Sequence, residues 1–136
     1  MAASIVATDL DRTLLDPDSR VTPFSRSVLE RASDEGVLLV AATGRSRAAV
    51  EHVLVDKRSA LEQLARDRGF TAADIVAFGD HRNDLAMLQW VGRGIVMCDG
   101  DPAVVAAIQD HTEYGHDKDG VARRIETMLD DGTLRG

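Results

Sequence analysis

The chain has 136 residues, 44% of them apolar and 29% charged, with a net charge of −7. That length suits one domain, and the acidic balance argues against nucleic acid or an anionic membrane surface as a bulk partner. A single cysteine, Cys98, excludes an internal disulfide and a cysteine-rich zinc site. No apolar run approaches the roughly 20 residues of a membrane span, and Asp9 comes too early for a signal peptide. A cytoplasmic location is therefore expected.

Short apolar runs alternate with amphipathic stretches along the whole chain. Ser4–Leu10 reads as a buried strand. Thr22 then caps a helix with Pro23 at its first position and Gly36 at its end, and Phe24, Val28, Leu29 and Ala32 mark its buried stripe. Val37–Ala42 is a second strand, continuously apolar as a strand covered on both faces should be. After Thr43 and Gly44 a short helical stretch is expected to about Val53. Ser59 and Glu62 have the spacing of a capping box for a helix that ends at Gly69. Asp74–Phe78 is a third strand. Asn83–Val91 is a helix with Leu85, Leu88 and Val91 inward, and Gly94–Met97 is a fourth strand. Asp101-Pro102 opens another helix, Gly120–Leu129 forms the last, and the tail from Asp130 is expected to fray. Strand and helix alternating in this way predict an α/β fold, a three-layer Rossmann-like parallel sheet with helices on both faces.

In such sheets ligands collect at the C-terminal ends of the strands, and the unusual polar residues fall there. Asp9 and Asp11 end the first strand, Thr43 the second, and Asp80 follows the third. Two residues apart on extended backbone, Asp9 and Asp11 lean the same way. Close carboxylates raise each other's cost of ionising, and a divalent cation removes that cost. Asp80 and Asp84 bring more carboxylate to the same place, and an all-oxygen set suits Mg²⁺. Thr43 and the backbone around Gly44, the Lys57 cation and the Asn83 amide fit a phosphoryl group, whose transfer needs mainly positioning and charge neutralisation.

Asp9-Leu-Asp11-Arg-Thr13-Leu-Leu resembles the first motif of the haloacid dehalogenase (HAD) superfamily. Thr43 in AATGR resembles the second motif, Lys57 in DKRSALEQL the third, and GDHRND from Gly79 to Asp84 the fourth. The tail, VGRGIVMCDGDPAVVAAI followed by DGVARRIETML, is similar to the Cof-type sugar-phosphatase branch. The resemblance implies a HAD-like fold and a Mg²⁺-dependent phosphatase acting on small phosphorylated metabolites through an aspartyl-phosphate. It implies Asp9 as nucleophile and metal ligand, and Asp11 as acid/base with its carbonyl on the metal. Thr43, Gly44 and Lys57 would hold the phosphoryl group. Asp80 and Asp84 would complete the metal site, Asn83 would orient the substrate, and Thr13 would support the loop.

Three departures from the family pattern stand out. Arg12 occupies a position that is usually glycine, and Cys98-Asp99-Gly100 replaces a usual Gly-Asn pair. Only 13 residues, 44–56, separate Thr43 from Lys57, where Cof-type relatives insert a cap domain. Residues 1–136 are thus expected to form a single core domain, without the cap that would lie between residues 46 and 56. The same absence leads to the expectation that an outer strand of the sheet is missing too, with Val53–Val55 as its candidate remnant. An open site implies weak, promiscuous activity or a homo-oligomer that covers the site. The alternatives are phosphotransferase or mutase chemistry, and a folded but nearly inactive capless core. His52, His81, His111 and His116 share no metal-ligand spacing and are expected at the surface, with His81 near the site mouth because it lies inside the fourth motif; Asp99, Asp101, Asp110, Asp117, Asp119, Asp130 and Asp131 read as caps, turns and solvated surface. Cys98 is expected to be buried, and Trp90 to pack.

Overall fold

The computed structural model describes residues 2–42 and 57–136. Thr43, Gly44, His52, the helical stretch expected up to Val53 and the Val53–Val55 remnant lie outside the described residues. The strands are β1 (Ile5–Thr8), β2 (Leu38–Ala41), β3 (Ile75–Gly79), β4 (Arg93–Val96) and β5 (Asp110–His111). They pair in the order β2-β1-β3-β4-β5, all parallel. The helices are α1 (Pro23–Asp34), α2 (Lys57–Arg68), α3 (Leu85–Trp90), α4 (Pro102–Ala107) and α5 (Gly120–Asp131).

The side-chain alternation of the central strands explains their unbroken apolar sequence. Val6, Val76, Phe78 and Ile95 face one way and form a core with Val28 and Ala32 of α1 and with Val121, Ile125 and Met128 of α5. Ile5, Ala7, Ile75, Ala77 and Val96 face the other way, onto Leu61 and Ala65 of α2, Met87 and Leu88 of α3 and Val104 of α4. A strand buried on both faces has no polar positions left to alternate. The three-layer expectation is thus met. α1 begins as expected, with the Thr22 hydroxyl accepting from the Ser25 N–H at 3.1 Å and Pro23 at N1.

Several details depart from expectation. β1 stops at Thr8, because the chain turns sharply at residues 10–14. β2 is half-buried and Ala41 is exposed, since β2 is a terminal strand of the sheet with β1 as its described neighbour. Ser59 is not a cap: α2 already begins at Lys57. A tight turn at residues 82–84 precedes α3, which starts only at Leu85. Cys98 is exposed: Ile95, Val96 and Met97 are all buried, and Cys98 begins the turn that follows β4. β5 was not anticipated. It is two residues long and polar, and Arg124 of α5 anchors it by bonds to Asp110 Oδ1 (2.9 Å) and the His111 carbonyl (2.6 Å).

The C-terminal tail does not fray. Gly132, at φ +81°, ends α5 and turns the chain back. The Thr133 carbonyl accepts from Ala3 N–H, and Arg135 N–H donates to the Ala3 carbonyl. Leu134 is 1% exposed in the α1–α5 core. A frayed tail would tolerate Leu134→Ala. Instead the substitution should lower unfolding free energy by about 2–3 kcal/mol, read as a reduced urea midpoint at unchanged slope.

Candidate active site

Asp9 follows directly on β1. Its N–H donates to the Phe78 carbonyl at 3.0 Å, extending the β1–β3 ladder by one residue, and its backbone is extended. The chain then folds into a single wide turn over Leu10–Leu14, closed by Leu15 N–H onto the Leu10 carbonyl. Arg12 supplies the bend with φ +59° and ψ 14°. That left-handed conformation is costly for a residue with a Cβ and is usually given to glycine. The turn carries the buried Thr13 back over the strand ends. Its hydroxyl donates to Asp9 Oδ2 at 3.2 Å, with Asp80 Oδ1 at 3.4 Å.

Asp80 follows β3, next to Asp9 across the ladder. The chain then makes the tight turn at residues 82–84, which returns Asp84 beneath Gly79. A Cβ on Gly79 would lie 2.7 Å from the Asp84 Cβ, so only glycine admits this approach. Asp84 is fully buried. Its Oδ2 accepts the Asp80 and His81 N–H groups, both at 3.1 Å. Its Oδ1 accepts from Lys57 Nζ at 2.5 Å, and the same ammonium donates to Asp9 Oδ1 at 2.8 Å.

Lys57, the first residue of α2, therefore joins two carboxylates that come from different strand ends. Burial works against its charge, but hydrogen bonds with Asp84 and Asp9 outweigh this and hold its pKa above the ordinary lysine value. Asp80 is in the opposite situation. Burial, then hydrogen bonding with Asp9 and the charges of Asp9 and Asp84, push its carboxyl up to about 6, offset in part by the Thr13 hydroxyl. Carboxylate oxygens of Asp9, Asp80 and Asp84 lie within 4.8 Å of one another. Oxygen donors crowded this closely fit a small divalent cation. Asp84, with both oxygens engaged by protein donors, is the least available ligand of the three.

Of the residues anticipated for the site, Asp9, Lys57, Asp80 and Asp84 are thus brought together. Asp11 is exposed and stands apart from the carboxylate cluster. It lines an adjacent cavity of about 540 Å³ with Arg12, Asp16, Pro17, Ser19 and His116. Asn83 is exposed, and its backbone N–H donates to His81 Nδ1 at 3.4 Å. His81 and His111 are at the surface as expected. Asp99 is exposed as expected, but His116 is half-buried and the two are paired. His116 Nδ1 is 2.7 Å from Asp99 Oδ2, and the His116 side chain is only 22% exposed. No spacing rule links residues 17 apart across α4 and β5, so the pair was not visible in sequence.

The sequence profile of the haloacid dehalogenase-like hydrolases matches residues 6–55 and 53–125. The chain belongs to this family. Among HAD relatives, a Haemophilus influenzae protein with a provisional phosphatase name is 38% identical over 76 residues, and a Bacillus subtilis protein similarly named is 33% identical over 78. These stretches are 55% and 57% of this chain, and the chain spans 28% of the length of either relative. A haloacid dehalogenase-like hydrolase from Bacteroides thetaiotaomicron has the same fold, with a TM-score of 0.84 over 93% of this chain and 99% of its own, at 16% identity. So does the Moraxella catarrhalis 3-deoxy-D-manno-octulosonate 8-phosphate phosphatase, solved with magnesium, phosphate and KDO. Its TM-score is 0.76 at 21% identity, over 94% of this chain and 86% of its own.

The Asp80 carboxyl gives the HAD site a pH signature. Its folded pKa of about 6 is above the ordinary 3.8. Its contribution to stability is therefore complete below about pH 4 and lost as pH rises through 6. The metal-free protein should thus gain Tm on going from pH 7.5 to pH 5. A divalent cation, tested as Mg²⁺, should raise Tm at pH 7.5 and do so much less at pH 5, where the proton competes for the same oxygens. A Mg²⁺-induced shift of equal size at both pH values would contradict this account of the cluster.

Proposed function

We propose that this chain is a Mg²⁺-dependent phosphatase of small phosphate monoesters, working through a phosphorylated Asp9. The observation that carries the reading is the Asp9 carboxylate itself. It is tied to the Lys57 ammonium on one oxygen and faces Asp80 across the strand ends. Asp9, Asp80 and the Asp11 carbonyl would hold the cation, with Asp84 fixing Lys57 behind them. When bound, that cation supplies positive charge against the carboxylates and the transferring phosphoryl group.

An Asp9 oxygen attacks phosphorus, and the bond from phosphorus to the ester oxygen breaks. Asp11 gives its proton to the departing alcohol. The same carboxylate then takes a proton from water, whose oxygen attacks the aspartyl-phosphate and releases inorganic phosphate and free Asp9. Lys57 neutralises charge on the nucleophile and on the phosphoryl oxygens throughout. Thr43, Gly44 and Asn83 are assigned to the phosphoryl group and substrate on the sequence motifs. Phosphatase names among the relatives favour water over a second alcohol as the final acceptor.

The 13 residues between Thr43 and Lys57 are too few for a lid domain. The reading is therefore of a single core that works with an open mouth, slowly and with broad selectivity, or that covers its mouth by self-association. Release of p-nitrophenol from its phosphate ester should require Mg²⁺. Asp9→Asn should reduce the rate by about 10³-fold or more, and Lys57→Met by about 10²-fold. Equal rates for the parent and Asp9→Asn would remove Asp9 from its role. A monomer with fast turnover and sharp selectivity for one sugar phosphate would overturn the open-mouth reading.

A further inference from the structure

The cavity beside the carboxylate cluster is lined by Asp11, Arg12, Asp16, Pro17, Ser19 and His116. Asp11 is the group assigned to protonate the leaving oxygen, so this cavity is where the alcohol half of the ester must lie. Arg12 and His116 are the basic side chains in its wall. Arg12 is exposed, and among the described residues its guanidinium has no carboxylate or carbonyl partner. It is held at φ +59° on the turn that carries Asp11 and Thr13. His116 is fixed by Asp99, which accepts from its backbone N–H at 3.1 Å and lies 2.7 Å from Nδ1. The acidic Asp16 in the same wall has one oxygen engaged by the chain itself: its Oδ1 accepts the Asp18 and Arg20 N–H groups at 2.9 and 3.0 Å.

We infer that Arg12 is a specificity residue that binds a carboxylate on the alcohol part of the substrate, so that phosphorylated acids are preferred over neutral phosphate esters of the same size. The inference rests on the phosphatase reading for the direction of the ester in the site. Three observations support it. A planar guanidinium binds a carboxylate through two parallel hydrogen bonds. No described protein group competes for this one. A left-handed backbone at a cationic residue, where glycine would sit without cost, is a strain of the kind kept at working positions.

The test is calorimetric titration of the Asp9→Asn chain, in Mg²⁺, with 3-phosphoglycerate and with glycerol 3-phosphate. Both are three-carbon phosphate esters, and only the first carries a carboxylate. The Asp9→Asn protein should bind 3-phosphoglycerate about tenfold or more tightly than glycerol 3-phosphate. Adding Arg12→Gly should bring the two affinities within about twofold while raising Tm, because glycine relieves the left-handed backbone. A purely structural Arg12 would shift Tm without touching the ratio. No preference in the Asp9→Asn protein, no binding of either ester, or a preference that survives both Arg12→Gly and Arg12→Gln would overturn the proposal. Binding needs no turnover. A wild-type chain that hydrolyses nothing would defeat the phosphatase reading, while the titration still decides the subsite.

Discussion

The contact between Lys57 and two carboxylates is the interaction on which the rest of the site depends. One ammonium stands against three carboxylates, Asp9, Asp80 and Asp84, in a place where water is scarce. If all are ionised, two negative charges remain. Such a cluster is unfavourable in a buried setting unless its members are paired. The raised Asp80 carboxyl is the local answer, and a divalent ion is the complete one. A phosphate monoester is itself anionic and cannot approach two uncompensated charges. The electrostatics that make the cluster poor on its own thus fit it to a cation and a phosphate together.

Asp84 shows how the fold sustains that arrangement. It is fully buried and satisfied on both oxygens, two backbone N–H groups on one side and Lys57 on the other. Its position requires Gly79, whose missing Cβ is the space the carboxylate occupies. The turn at residues 82–84 does the rest by reversing the chain within one step of β3. Asp84 thus works through its neighbours. It sets the height of the Lys57 ammonium, which in turn meets Asp9. Thr13 performs the matching task from the other side, donating to Asp9 and lying beside Asp80.

Much of this was legible in the amino-acid sequence, for identifiable reasons. β1 and β3 read as buried because short apolar runs, Ile5–Ala7 and Ile75–Phe78, fill both faces of the strands, and α1 because Thr22, Pro23 and Gly36 punctuate it. Asp9, Lys57, Asp80 and Asp84 were legible because each sits where a strand or helix end must place it. What stayed hidden depends on tertiary partners. β5 is two polar residues with no strand signal, and it exists because Arg124 grips it. The ordered tail depends on a bridge between Ala3 and Leu134, which local polarity does not foretell. Cys98 was misjudged because the strand ends before it: Ile95, Val96 and Met97 are all buried, and Cys98 lies in the turn that follows. The departure from glycine at Arg12 was visible, but the guanidinium's place in a cavity wall with His116 was not. That neighbour is more than a hundred positions away in sequence.

Burial divides the site into two halves. On the side of Asp9, Asp84 is fully covered and the Lys57 and Asp9 side chains are 8% and 14% exposed. The core itself therefore removes most of the water from the Asp9 carboxylate, a task that lids perform in lidded enzymes. On the side of the adjacent cavity, the proposed place of the leaving group, Asp11 and Arg12 are exposed, and the wall is an irregular turn rather than packed sheet. Rate enhancement by charge placement needs only the first half, because Lys57 and the carboxylates act at contact distance and are screened little. Discrimination among alcohols needs the second half, where each contact competes with water. A core built in this way can keep the chemistry while selectivity rests on the few side chains of the exposed turn. Arg12 carries a full charge there, which makes it the side chain best able to act across that wetter half.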